Sequence, residues 1–164
     1  MNPPLKGTHR NIAYCVPFLQ EAWKNLLATW DERHPELPKP FLVETYRPEI
    51  VQKAYYAQGR QDLATVNKLR VEAGLWKITA AENRTKITYQ QHGGSKHGRW
   101  PSWAFDIGFV KAGSPGKMDY SMPLYEKAAH ILREHDQRIV WGADWDKDWN
   151  IKEHKLLDAP HFEV

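Results

Sequence analysis

Between residues 103 and 110, large apolar side chains fall on every second position, Trp103, Phe105, Ile107 and Phe109, with Ala104 and Asp106 between them. A period of two is the signature of a strand, so this stretch predicts a strand over about 103–110 that buries its aromatic face. Ala104 and Asp106 then share the opposite face. A carboxylate in so apolar a strand needs compensation wherever it is buried, and a metal ion provides it.

Helical spacing dominates the first half of the chain. Pro17 suits a first helical position, and Leu19, Ala22, Trp23, Leu26 and Trp30 recur at three- and four-residue steps until His34-Pro35 ends the run. Phe41-Leu42-Val43 reads as a short buried strand. A second helix begins around Pro48, with Ile50, Ala54 and Tyr55 facing inward and Gly59 as its stop. Leu63, Val66, Leu69 and Ala73 predict a third helix ending at Gly74. Residues 76–91 carry only isolated apolar positions and predict a loop with one short strand, and His92-Gly93-Gly94 predicts a turn. Ser121 as N-cap and Pro123 just inside open a fourth helix that carries Leu124, Ala128, Ile131 and Leu132 on one face. Strands are expected again at 138–141 and 161–164. Helices early and strands late define an α+β class with a small, mostly antiparallel sheet packed against helices.

At 164 residues the chain suits a single domain, 1–164, with enough material for a core. Its 23 basic and 20 acidic residues are interspersed, and the net charge of +3 is too mild to name nucleic acid as a partner. Cys15 is the sole cysteine, so no intrachain disulfide exists and the residue reads as a small buried apolar group. The first residues lack the basic start and apolar run of a signal peptide. No segment approaches the roughly twenty apolar residues of a membrane span, so a soluble chain without membrane insertion is expected.

The chemistry concentrates in two places. Ser95-Lys96-His97 is a glycine-flanked loop that leads into the strand bearing Asp106, and Asp158-Ala159-Pro160-His161-Phe162 places an acid three residues before a histidine that opens the last strand. Two imidazoles and two carboxylates on strands and tight loops match what a catalytic Zn²⁺ takes, three nitrogen or oxygen ligands and a fourth position for water. His130 and His135 lie five apart on a helix, point to different faces, and are assigned to packing or surface; His92 and His154 stand as reserve ligands. Arg47 lies at a junction between strand and helix, a rigid place from which to present a functional group.

Glu44-Thr45-Tyr46-Arg47-Pro48, followed by Gln52 and by Tyr56-Ala57-Gln58-Gly59-Arg60, resembles the first motif of the D-alanyl-D-alanine carboxypeptidase and L-alanyl-D-glutamate endopeptidase family. That family cuts peptidoglycan stem peptides and includes phage endolysins. Ser95-Lys96-His97 with Ala104-Phe105-Asp106, then Trp141-Gly142-Ala143-Asp144-Trp145, then Asp158-Ala159-Pro160-His161-Phe162 resemble its remaining motifs in the same order, from about residue 41 to the end. The nine-residue step from His97 to Asp106 exceeds the commoner family spacing by two, around Arg99-Trp100-Pro101-Ser102, which predicts a longer loop over the metal.

The resemblance implies a Hedgehog-like and DD-peptidase-like fold, with one Zn²⁺ per chain held by His97, Asp106 and His161. It implies Asp158 as the catalytic carboxylate and Arg47 as the group that meets the substrate carbonyl, with Gln52 supporting Arg47. Ser95 is a candidate substrate hydrogen-bond donor and Trp141 a candidate pocket wall, against the plainer readings of a loop serine and a core tryptophan. The implied protein is a monomeric bacteriolytic endolysin with no separate wall-binding domain. It would be held in the host cytoplasm without a signal peptide, be released by a separate permeabilising protein, and act on the stem peptide, foremost its L-alanyl-D-glutamate bond. A D,D-carboxypeptidase or dipeptidase, or a non-catalytic zinc-stabilised wall-binding module, are the alternatives.

Overall fold

A computed structural model describes residues 2–91 and 93–164. Four helices, α1 (Pro17–Arg33), α2 (Glu49–Ala57), α3 (Leu63–Glu72) and α4 (Met122–His135), surround a four-stranded sheet of β1 (Phe41–Glu44), β2 (Ala104–Gly108), β3 (Val140–Trp141) and β4 (His161–Glu163). The spatial order is β1-β2-β4-β3 and each neighbouring pair runs antiparallel, so the α+β class holds.

The helices start and stop for local reasons. Pro17 lies in the first turn of α1, where its missing N–H costs nothing, and the Asp62 carboxylate caps α3 by accepting the Thr65 N–H at 3.0 Å. Pro48 stands just outside α2 rather than within it, and Gly59, at φ +75°, turns the chain away beyond its end.

The main core lies on one face of the sheet. Leu19, Leu26 and Trp30 of α1 and Tyr125, Ala128 and Leu132 of α4 pack there against Phe105, Ile107 and Phe162. Each fully buried leucine, isoleucine or phenylalanine among them contributes about 1.5–3 kcal/mol over leaving it in water. Because β2 and β4 alternate, burying Phe105, Ile107 and Phe162 turns Asp106, His161 and Glu163 to the other face. A second, smaller cluster of Val51, Ala54 and Ala73 joins α2 and α3.

Several expectations need correction. β1 is a half-buried edge strand, not a buried one, because only β2 pairs with it. Trp103 falls outside β2 and is 38% exposed: its N–H donates to the Lys96 carbonyl, and Lys96 and Arg99 sit over its ring, which draws it toward the His97 loop. Among the described residues of 76–91 there is no strand, only a short turn of 3-10 helix at Glu82–Arg84. The strand expected over 138–141 is reduced to Val140–Trp141. Finally, the expanded segment around residues 99–102 packs back on the N-terminal part of the chain. Trp100 meets Tyr14 and Tyr46 with ring centroids 5.3 and 5.0 Å apart, and Ser102 bridges to Cys15.

Candidate metal centre

Sheet register builds the site. β2 and β4 pair Asp106 directly opposite His161, and β1 pairs Glu44 opposite Asp106. The β1 pairing reaches that register only because it slips between Leu42 and Glu44. Leu42 is matched with core-facing Ile107, so without the extra residue Glu44 would lie on the core side as well. Glu44, Asp106 and His161 therefore form a row across three strands. His97 comes from the 3-10 turn Lys96–Gly98, which is fixed at the end of β1 by a hydrogen bond from the Arg47 N–H to the His97 carbonyl, 2.9 Å long.

The three expected ligands converge. His97 Nε2 lies 3.1 Å from Asp106 Oδ1 and 3.1 Å from His161 Nδ1, and His161 Nδ1 lies 3.0 Å from Asp106 Oδ1. The remaining ring nitrogens are committed elsewhere. His97 Nδ1 is 2.6 Å from the Thr45 carbonyl and His161 Nε2 is 3.0 Å from Glu163 Oε2. A carbonyl or carboxylate only accepts, so in the neutral rings those nitrogens carry the hydrogens, leaving His97 Nε2 and His161 Nδ1 as bare lone pairs.

Two lone pairs and one carboxylate oxygen thus face a common point. For a tetrahedral ion with bonds of about 2.0–2.1 Å, ligand atoms stand about 3.3 Å apart, close to the triangle found here. The residues fit a metal ion, and the outer partners Thr45 and Glu163 are the kind that orient such ligands.

Electrostatics agree with a cation-seeking site. Burial works against a charged imidazole at His161, yet hydrogen bonds to the Asp106 and Glu163 carboxylates outweigh it and push its pKa up to about 10, so at neutral pH the carboxylates hold a proton on the ring that a metal ion has to displace from Nδ1. Burial likewise opposes ionisation of Asp106, but the two imidazoles hold its carboxyl well below the usual range. Asp158 moves the other way. The residue is exposed at the rim, but the atoms packed around its carboxyl and the neighbouring Asp106 charge raise its pKa.

Arg47 is nearly buried at the same place. Its Nε and one NH2 hydrogen engage Glu44, NH1 donates to Gln52 Oε1 at 2.9 Å, and NH2 stands 3.8 Å from Asp106 Oδ2. Among the described residues, three of the five guanidinium hydrogens are engaged in hydrogen bonds. Gln52 is itself fixed by donating to the Gln90 carbonyl, which makes it the support expected for Arg47.

The other candidates fall differently. Ser95 precedes the turn bearing His97, and its carbonyl accepts the Gly98 N–H at 3.1 Å while its side chain does not cap that turn. Trp141 is completely buried in the main core with its Nε1–H donating to the Ala159 carbonyl at 2.8 Å. It is a core tryptophan that holds the 158–161 turn in place; as a pocket wall it has no exposed surface to offer. His154 lies with Asp144, Asp146 and Asp148 instead of at this centre, and His130 stacks on Trp149. His92 lies outside the described residues.

Sequence reading passed over Glu44, Glu163 and Gly142. Gly142 receives a hydrogen bond from the Asp158 N–H at 2.8 Å and donates one to the His161 carbonyl, also 2.8 Å. A Cβ on it would run into the Asp158 carbonyl oxygen and the His161 Cβ, so only glycine allows this approach. The signal for Glu163 was present, since i and i+2 share a strand face.

The fold and the centre together describe an α+β domain with a candidate mononuclear metal site on the sheet face turned away from the main core. Among solved structures the chain is similar to the L-Ala D-Glu endopeptidase ChiX of Serratia marcescens, with a TM-score of 0.50 and 17% identity, covering 98% of this chain and 90% of that one. The likeness speaks for the fold. No family model and no curated protein matches the sequence.

Proposed function

We propose that this chain is a zinc-dependent peptidoglycan peptidase of the endolysin type that hydrolyses the stem peptide at its L-alanyl-D-glutamate bond. The observation that carries the proposal is the convergence of His97 Nε2, Asp106 Oδ1 and His161 Nδ1 within 3.0–3.1 Å, with the Asp158 carboxyl at the rim. The fold shared with an L-Ala D-Glu endopeptidase and the ordered motifs support the same reading. In a phage setting the enzyme reaches the wall after a separate protein permeabilises the membrane; among the described residues no helix is long and apolar enough to cross one.

His97, Asp106 and His161 would hold one Zn²⁺, which supplies Lewis acidity that makes water a nucleophile near neutral pH. Asp158 then has the proton work. Its carboxyl takes a proton from the attacking water and returns it to the departing amine nitrogen, and a raised pKa suits a group that must do both. The Arg47 guanidinium hydrogens not engaged by Glu44 or Gln52 meet the negative charge that grows on the scissile carbonyl oxygen, an interaction worth about 3 kcal/mol in the transition state. Glu44 and Gln52 keep that guanidinium aimed.

The test is a muropeptide digest read by mass spectrometry with wild type and Asp158→Asn, each assayed for zinc. New L-alanine carboxyl and D-glutamate amino termini from the wild type, and zinc-loaded but inactive Asp158→Asn, are expected. Cleavage at the D-alanyl end instead would reassign the bond. Undiminished lysis by Asp158→Asn would remove the proposed base.

A further inference from the structure

Away from this centre, the segment after β3 brings Asp144, Asp146, Asp148 and His154 together, with one ligand atom from each lying within 4.8 Å of all the others. Exposed carboxylates cluster often without a ligand, so proximity alone decides nothing. Asp144 decides it. Its side chain is completely buried: Oδ2 is engaged by Arg133 and by the Trp149 N–H, but Oδ1 has no hydrogen-bond partner. A buried carboxylate oxygen without a donor is costly, and native structures seldom leave one so.

His154 repeats the pattern from the other side. Its Nε2 is buried and lacks a hydrogen-bond partner, although it stands 3.2 Å from Asp146 Oδ1 and 3.7 Å from Asp144 Oδ1. The imidazole nitrogen thus stands close to two carboxylate oxygens without a hydrogen bond to either. That is the arrangement of ligands around an ion and not of a hydrogen-bonded network.

We propose that Asp144, Asp146, Asp148 and His154 form a second site, which binds a divalent cation through three carboxylate oxygens and one imidazole nitrogen. The Asp-x-Asp-x-Asp spacing equals that of the first three ligands of a helix-loop-helix calcium loop, but Lys155 occupies the place of its closing glutamate. His154 closes the set here. Carboxylates suit Ca²⁺ and Mn²⁺, whereas an imidazole suits Zn²⁺ and other transition ions. The shared chemistry is a divalent ion that accepts carboxylate oxygen, and the three ions separate the two preferences.

The site is coupled to the first one by short links. The Asp144 N–H donates to the Trp141 carbonyl at 2.9 Å, the Trp145 ring lies 5.9 Å from that of His161, and the Trp145 Nε1–H donates to the Leu156 carbonyl at 3.0 Å. A cation here ties down the loop whose far end bears Asp158. Binding itself stands apart from the peptidase reading and is tested without activity.

Full-length protein stripped by chelator is titrated with Ca²⁺, Mn²⁺ and Zn²⁺ by calorimetry, with total tryptophan fluorescence, to which Trp145 and Trp149 beside the site contribute, followed in parallel. The comparison is Asp146→Asn/Asp148→Asn, which alters two exposed side chains and spares the buried Arg133–Asp144 pair. Wild type is expected to take up one equivalent more of at least one ion than the double variant, or to bind it at least tenfold more tightly. A preference for Ca²⁺ marks an oxygen-dominated site, and a preference for Mn²⁺ or Zn²⁺ marks His154 as a full ligand. Equal stoichiometry and affinity in the two proteins for all three ions overturns the proposal.

Discussion

His161 and Glu163 stand two residues apart on β4 and their side chains meet, His161 Nε2 lying 3.0 Å from Glu163 Oε2. The strand's period of two places both on the face away from the core, so the carboxylate fixes which imidazole nitrogen is left for a metal. Glu163→Ala is expected to weaken zinc binding about 10–100-fold, as loss of such outer partners does. Glu163→Gln keeps an acceptor without the charge and should fall between. Competition against a chromogenic chelator measures both, and an unchanged affinity in the alanine variant would refute the role.

Arg47 and Glu44 form a pair with side chains only 12% and 7% exposed, which makes the arginine's two duties separable. Arg47→Ala should lower turnover about 100-fold, equivalent to about 3 kcal/mol, with zinc retained. It should also cost about 3–5 kcal/mol of stability, because Glu44 is left buried and unpaired. Glu44→Gln/Arg47→Met removes both charges and is expected to recover stability while remaining inactive. Recovery of activity along with stability would make the pair purely structural.

Gly142 admits the 158–161 turn at a distance that no side chain permits. Gly142→Ala should therefore push Asp158 and His161 away together, lowering zinc affinity, turnover and melting temperature in one variant. Thermal melts with and without zinc check this: the gain in melting temperature on adding zinc should shrink in the variant, and an undiminished gain would show that the turn tolerates the methyl group.

Cys15 is 1% exposed, and burial, only partly offset by a hydrogen bond with Ser102, pushes its pKa from 9.0 up to about 12. The native thiol should react slowly with disulfide reagents at pH 8 and fully once the chain is unfolded. The linkage has a definite sign. Because the unfolded thiol ionises first, the contribution to stability is complete below pH 9 and drains away as pH rises from 9 toward 12. Denaturant titrations of wild type against Cys15→Ala across that window should show the wild type losing stability faster; parallel curves would mean that the thiol is not held neutral.

Much of this was legible in the order of residues. The Leu19-Ala22-Trp23-Leu26-Trp30 stripe gave α1, and the alternation around Phe105 and Ile107 gave β2 and the face of Asp106, because helices and strands impose periods that apolar side chains must follow. Trp103 broke that alternation because its ring found two cations, Lys96 and Arg99, in the preceding His97 loop, a contact no period encodes. Trp141 was ambiguous for a similar reason, since an aromatic residue in a short strand serves a core or a pocket equally well until its neighbours are known.

The chain's own chemistry determined which side chains could hold an ion and which strands would carry them, since imidazoles, carboxylates and apolar alternation are properties of residues in line. Tertiary structure alone decided that Glu44 joins Asp106 and His161 in one row, through a one-residue slip in the β1 pairing, and that Gly142 lets the Asp158 turn close on the site. Register between strands and the approach of two loops depend on contacts distant in sequence, and a single slipped residue reverses every face that follows it.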